Sequence, residues 1–225
     1  MKIVSFNINS IRARPHQLIH LRDTIDPDVI GIQETKVNDP EFPIDEIKEI
    51  GYHPEFWGQK GHYGVAILTK EEPVSVNKGF ETDDDEAQKR FISVTLKKGR
   101  KKIHILNGYF PQGEERNHPI KFPYKVKFYQ DLMVHIKKNY DPKDHLMVMG
   151  DLNISPEDID IGIGEENKKR WLRSGKCSFL PEEREWMSSF VDNGFIDSAE
   201  VSMDLVGEIG VKIVEKKPVF RVLNG

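Results

Sequence analysis

The chain carries a single cysteine, Cys177, so no intramolecular disulfide can form within it, which suits a reducing compartment. No histidine or acidic residue stands beside Cys177 in sequence, and it reads as an ordinary small side chain rather than a nucleophile. Long apolar runs are also missing. The longest, such as residues 65–68 and 146–149, are far too short to span a bilayer, and the first residues open into a strand-like segment rather than a basic-then-apolar leader. A soluble, cytoplasmic protein without membrane contact is expected. Net positive charge is absent as well: 33 Lys and Arg against 37 Asp and Glu leave −4. Composition alone therefore does not announce a nucleic-acid partner. There is no histidine after His145, no internal repeat and no linker.

What is present is enough for one sizeable core. With 225 residues, 37% of them hydrophobic, a single domain over residues 1–225 is expected. Charge is segregated along the chain. Lys97-Lys98-Gly99-Arg100-Lys101-Lys102 is basic and reads as a solvated hairpin tip, and residues 168–176 are basic again. Asp83-Asp84-Asp85-Glu86 and Glu182-Glu183 are acidic.

Residues 3–6 and 27–34 read as buried strands separated by a helix over 16–24. Runs at 64–69, 91–96 and 103–109 are spaced like a meander, with turn signals at 70–73 and 98–100. Apolar residues at Val126, Tyr129, Leu132, Met133 and Ile136 predict a helix over 122–139, stopped by Asp141-Pro142, before another buried strand at 146–153. Strands with covering helices and few crossover units predict an α/β fold of two facing mixed sheets flanked by helices, a four-layer sandwich.

Three of these strands end in polar groups: Asn7 and Asn9, then Glu34, then Asp151 and Asn153. Oxygen-rich strand ends suit a hard cation such as Mg²⁺, which takes one or two carboxylates, waters and substrate phosphate. Any one of them alone reads as a turn cap; the set does not. Tyr109, at the end of another apolar run, would alone be a packing residue with one satisfied hydroxyl.

Longer blocks make the pattern specific. Phe6-Asn7-Ile8-Asn9, Gly31-Ile-Gln-Glu-Thr-Lys36, Gly58-Gln-Lys-Gly-His-Tyr-Gly-Val65, Asn107-Gly-Tyr-Phe-Pro-Gln-Gly-Glu114, Gly150-Asp-Leu-Asn-Ile-Ser-Pro156 and Asp160-Ile-Gly-Ile-Gly-Glu-Glu-Asn167 resemble successive blocks of the exonuclease III family, in family order. So does the stretch from Arg170 to Trp186. The resemblance runs from residue 1 to about 200 and implies an endonuclease/exonuclease/phosphatase fold. It also implies metal-dependent hydrolysis of DNA phosphodiesters in base excision repair: 3′-to-5′ exonuclease action on duplex DNA and cleavage beside abasic sites.

Carried over by position, the resemblance makes Glu34 the metal carboxylate, assisted by Asn7, with Asp151 and Asn153 also near the metal, Mg²⁺ or Mn²⁺. Asp151 orients or deprotonates the attacking water, Asn153 binds the scissile phosphate and Tyr109 stabilises the transition state. Asn9, Lys36 and Gln112 resemble groups that contact the DNA backbone. Lys169, Arg170, Trp171 and Arg173 match a segment expected to meet DNA phosphates; on composition alone that segment also reads as a solvated helix with Trp171 tucked inward.

Residues 201–225 do not resemble the family's C-terminal blocks, an aromatic segment that senses the abasic sugar, an Asp-containing strand and a Ser-Asp-His block. Lowered turnover and an incomplete second sheet are therefore expected, with a hairpin over 211–223 covering sheet edges. The alternatives are a catalytically impaired DNA-binding remnant and a phosphatase of the same fold acting on phosphomonoesters or lipids. A monomer is expected, with strand exchange between two chains as its alternative.

Overall fold

The structure, a computed structural model, describes residues 1–193 and 212–214. The chain opens with β1 (Ile3–Asn7), crosses over through α1 (Pro15–Thr24) and returns as β2 (Val29–Gln33), parallel to β1. Pro15 is the first residue of α1, where its fixed φ suits the helix and its missing N–H costs no hydrogen bond. α2 (Ile44–Glu49) leads to β3 (His53–Trp57) and β4 (Val65–Thr69), which pair antiparallel with each other, β4 also pairing with β2.

The second sheet begins with β5 (Ser75–Lys78), β6 (Phe91–Lys98) and β7 (Lys101–Tyr109), an antiparallel run. The 19-residue α3 (Lys121–Asn139) then crosses to β8 (His145–Asp151), parallel to β7. α4 (Glu165–Ser174) and α5 (Pro181–Asp192) follow, and β9 (Lys212–Val214) pairs antiparallel with β1. Among the described residues the first sheet is ordered β3-β4-β2-β1-β9 and the second β5-β6-β7-β8. None of the described helices is long and apolar enough to cross a membrane.

Alternation along the strands divides the core into three layers. Ile3, Val65 and Ile67 of the first sheet meet Ile92, Val94, Ile105 and Met149 of the second. Val4, Phe6, Ala66 and Leu68 point the other way, onto Leu18 and Leu21 of α1 and Ile47 of α2. Leu106 and Val148 pack under Phe128, Leu132 and Ile136 of α3 and Phe190 of α5. The four layers are those expected, and each fully buried Leu or Ile contributes roughly 1.5–3 kcal/mol.

One polar bolt crosses the middle layer. Gln33 Nε2 donates to Asn107 Oδ1 at 2.6 Å, and Asn107 Nδ2 donates to the carbonyls of Ile32 and Ala66 at 2.9 Å each. Both side chains are buried with partners in place, so the penalty for hiding amides from water is offset.

The meander expected over 64–109 is split: β4 joins the first sheet, while β6 and β7 form a hairpin in the second. Between β4 and β6 the chain passes through β5, whose residues are all exposed and carry no apolar alternation. The basic tip is as expected, Lys98 pairing with Lys101 across Gly99 at φ 62°. In the tail, β9 covers the β1 edge of the first sheet; the rest of the expected hairpin over 211–223 lies outside the described residues.

Candidate active site

Four strands deliver their last residues to one edge of the sandwich. Asn7 ends β1, Gln33 ends β2 just before Glu34, Tyr109 ends β7 and Asp151 ends β8. β1 and β2 form one parallel pair and β7 and β8 the other, so all four run the same way within their pairs. The carboxyl ends of parallel strands are where open α/β sheets hold ligands. Gly108 faces Gly150 in the β7/β8 register, immediately before Tyr109 and Asp151. Gly150 has φ 145°, and a Cβ there would stand 1.9 Å from the Gly108 carbonyl oxygen, so this close approach admits no side chain.

Asn7 joins the two sheets. Its Nδ2 donates to Glu34 Oε1 at 2.9 Å and to Asp151 Oδ2 at 3.1 Å. Glu34 Oε2 lies 2.8 Å from the ammonium of Lys36, which also donates to Asn9 Oδ1 at 2.5 Å. The Tyr109 phenol hydrogen-bonds Glu34 as well. Asn153 donates through Nδ2 to the Phe110 carbonyl at 2.9 Å, and its own N–H lies 3.4 Å from Asp151 Oδ1. The structure thus brings together Asn7, Asn9, Glu34, Lys36, Tyr109, Asp151 and Asn153.

Backbone strain is concentrated here. Asn9, Glu34, Lys36 and Asn153 all occupy the left-handed region, at φ 46°, 56°, 57° and 51°. Non-glycine residues persist in such conformations only where surrounding contacts over-determine them, and they gather at functional sites. For Glu34 those contacts come from Asn7, Lys36 and Tyr109.

Electrostatics separate the two carboxyls. Burial works to raise Glu34, but hydrogen bonds from Asn7, Lys36 and Tyr109 outweigh it and leave its pKa below the ordinary value. For Asp151 burial dominates over the Asn7 and Asn153 hydrogen bonds, and the nearby Glu34 charge adds to it, so its pKa is raised. Tyr109 is pushed well above the usual phenol value by burial and by Glu34, and it stays protonated at neutral pH.

This donor set fits a hard divalent cation. Two carboxylates converge on the Asn7 amide, with the Lys36 ammonium against Glu34, and a site with two carboxylates that leaves the other positions to water and phosphate oxygen suits Mg²⁺. Among the described residues no group of three or more His, Cys, Asp and Glu is assembled that would make a closed, all-protein metal cage.

The remaining candidates lie on loops and a helix. Gln112 is exposed and folds its Oε1 onto the Glu114 N–H at 2.7 Å. Lys169, Arg170 and Arg173 are exposed on α4, a helix with no buried residue. Trp171 is half-buried, stacked on Phe179 with ring centroids 5.9 Å apart. Cys177 is buried, its thiol pushed up to about 12 by burial and by Glu183, as befits an inert side chain.

Sequence reasoning missed Arg90. Its guanidinium lies 4.0 Å from the ring centre of Tyr63 and 4.6 Å from that of Tyr109, and it donates to the Tyr109 carbonyl at 3.0 Å. Nothing in the polar stretch before β6 marks it. It missed Lys125 too, although there a signal exists. Lys125 precedes Phe128, Leu132 and Ile136 by three, seven and eleven residues, on the core face of α3.

Comparison with known proteins shows the family of the chain. The pattern of the Endonuclease/Exonuclease/phosphatase family matches residues 4–200. The chain is 55% identical over 198 residues to exodeoxyribonuclease III of Haemophilus influenzae, covering 88% of this chain and 74% of that protein. An AP endonuclease structure from Archaeoglobus fulgidus superimposes with TM-score 0.77 at 33% identity, covering 88% of this chain and 72% of that one. The 3′ phosphatase NExo from Neisseria, bound to a product DNA hairpin, gives TM-score 0.76 at 30% identity, covering 88% and 73%. The strand-end site and these likenesses lead to one conclusion: the chain belongs to the endonuclease/exonuclease/phosphatase family and is an exodeoxyribonuclease III homologue.

Proposed function

We propose that this chain is a metal-dependent DNA phosphodiester hydrolase of DNA repair, removing nucleotides from 3′ ends of duplexes and cutting beside abasic sites. The observation that carries the reading is the convergence of Asn7 on both Glu34 and Asp151, with Tyr109 on Glu34, at the carboxyl ends of β1, β2, β7 and β8. Relatives named for exodeoxyribonuclease III and AP endonuclease activities support it.

Glu34 and Asp151, helped by Asn7, would hold a divalent cation, Mg²⁺ or Mn²⁺. When bound, the ion supplies charge stabilisation at the phosphoryl oxygens. Asp151, with its raised pKa, accepts a proton from the attacking water. Asn153 and Tyr109 present N–H and O–H donors to the phosphate, Tyr109 remaining protonated throughout. Asn9, Lys36 and Gln112 contact the DNA backbone, and Lys169, Arg170, Trp171 and Arg173 follow it along α4. The protein acts as one domain, as a monomer, in the cytoplasm.

The test is incubation of the purified protein with an abasic-site duplex and Mg²⁺, alongside Glu34→Gln and a binding assay in Ca²⁺. Nicking beside the abasic site and loss of nicking in the variant are expected. Binding without nicking would replace this reading with the impaired alternative, which has no support in the comparisons.

A further inference from the structure

We infer that the buried Lys125–Glu183 ion pair is a positioning device for the candidate active site: it fixes the two loops that carry Gln112 and Asn153. The inference rests on the hydrolase reading above for what those loops do.

Lys125 and Glu183 are both 0% exposed, with Nζ and Oε1 2.5 Å apart. A lysine ammonium has three protons to donate, and three acceptors face this one. Besides Glu183 they are the Asn153 carbonyl at 2.8 Å and the Gln112 carbonyl at 3.2 Å. The other Glu183 oxygen, Oε2, accepts from the N–H groups of Ser178 and Leu180 at 2.8 Å each. Leu180 precedes Pro181, the first residue of α5, so Glu183 also caps that helix. The pair therefore joins α3, α5 and the loops after β7 and β8.

The loops are tightly built around it. Gly113 has φ 86°, and a Cβ there would meet both the Lys125 chain and the Cys177 sulfur at 2.9 Å. Cys177 N donates to the Glu114 carbonyl at 3.1 Å and Ser155 N to the Ser178 carbonyl at 2.6 Å, stitching each loop to the strip before α5. Asn153 sits between these ties at φ 51°, a conformation that needs such holding. Its carbonyl is gripped by Lys125 while its side chain reaches the Phe110 carbonyl.

Stability alone does not account for the pair. Two buried charges pay heavily for leaving water, and neutral side chains of similar volume commonly hold a fold equally well. What neutral chains cannot supply is a charged donor to two loop carbonyls at once. Misplacing a reacting group by about 1 Å can cost on the order of 10²-fold in rate.

The experiment compares the parent protein, Lys125→Met and the double variant Lys125→Met/Glu183→Gln, by thermal melt, kcat and KM on an abasic-site duplex, and backbone hydrogen exchange. Lys125→Met leaves Glu183 buried without its partner, and a melting temperature lower by on the order of 10 °C is expected. The double variant removes that lone charge and regains most of the loss. Its kcat stays roughly 10²-fold low with little change in KM, and exchange stays faster at residues 112–115 and 153–155 than in the parent, with α3 unchanged. Recovery of kcat together with the melt would overturn the inference, leaving the pair a purely structural element. So would loosening spread evenly over the chain, or unchanged exchange in the two segments. Should the parent protein not cleave, the proposed function fails, and the exchange pattern alone decides whether the pair holds the loops.

Discussion

Asn7 donates to Asp151 across 144 residues of sequence, at 3.1 Å, from the first strand of one sheet to the last strand of the other. The same nitrogen reaches Glu34, so one amide holds two carboxylates together. Such a site is in balance only while something positive or protic faces both acids.

Replacing that amide by an acid should make the balance depend on metal. Asn7→Asp puts a third carboxylate against Glu34 and Asp151, and unit charges a few ångströms apart in a partly buried site repel by several kcal/mol before relaxation, on the order of 4 kcal/mol at 4 Å. The expected result is a lower melting temperature in EDTA and a larger rise on adding Mg²⁺ than in the parent, since a ligand that binds only the folded state stabilises it. Thermal melts over a Mg²⁺ series check it. An equal rise in both proteins would mean that these residues do not face the cation.

Tyr109→Phe separates the phenol's chemistry from its packing. The ring that lies against Arg90 is kept and the hydroxyl that reaches Glu34 is removed. Cleavage should fall on the order of 10²-fold, while the fold loses only about 1–3 kcal/mol for one hydrogen bond to a charged group. Single-turnover cleavage and a urea melt give the two readings, and a variant cleaving at the parent rate would remove Tyr109 from the reaction.

The edge that carries the site was legible because it is built from strand ends. The buried runs ending in Asn7, Glu34 and Asp151 are short, apolar and abruptly terminated, and parallel pairing then places those ends together. Less legible were features that exist only between distant segments. Asn107 looks like any polar residue in the strand before Tyr109; its burial depends on Gln33, 74 positions away, across a layer that only sheet stacking creates. β3 holds Pro54 and Glu55, and none of its residues is fully buried, so no period-2 signal marks it. Lys125 is not marked in the sequence, because lysine at a core-face position looks like noise until Glu183 is brought beside it.

Alkaline pH should weaken the fold through its buried phenols. Tyr129 is raised well above the ordinary value, first by burial and then by Glu183 and Asp151, and Tyr52 is pushed up to about 12 by burial. A group raised in the folded state contributes stability that is fully present below its unfolded pKa, near 10, and is lost as pH rises through the folded value. Urea melts between pH 8 and 11 should therefore be flat at first and decline above about pH 10. Tyr129→Phe gives up the hydrogen bond to the Leu152 carbonyl, about 1 kcal/mol, and should decline less steeply. A steeper decline in the variant would reverse the sign of this argument.

The last expectation concerns α4. Lys169, Arg170 and Arg173 are exposed on it, Lys169 has only a loose 3.6 Å pairing with Glu166, and no α4 side chain is buried. Lys168 differs, being tied to Asp158 at 2.7 Å, and Trp171 is occupied with Phe179. A helix that packs through Trp171 and Lys168 while presenting three exposed cations is suited to meeting phosphates, and each phosphate neutralised releases counterions. Replacing Lys169, Arg170 and Arg173 by Ala should weaken duplex binding and reduce the slope of log affinity against log salt by about 0.9 for each phosphate that is no longer neutralised. Folding should be almost unaffected, because exposed ion pairs contribute little. Binding of a duplex in Ca²⁺ over a salt series measures the slope. A parallel loss of affinity at every salt concentration, with the slope unaltered, would show that this helix meets no phosphate.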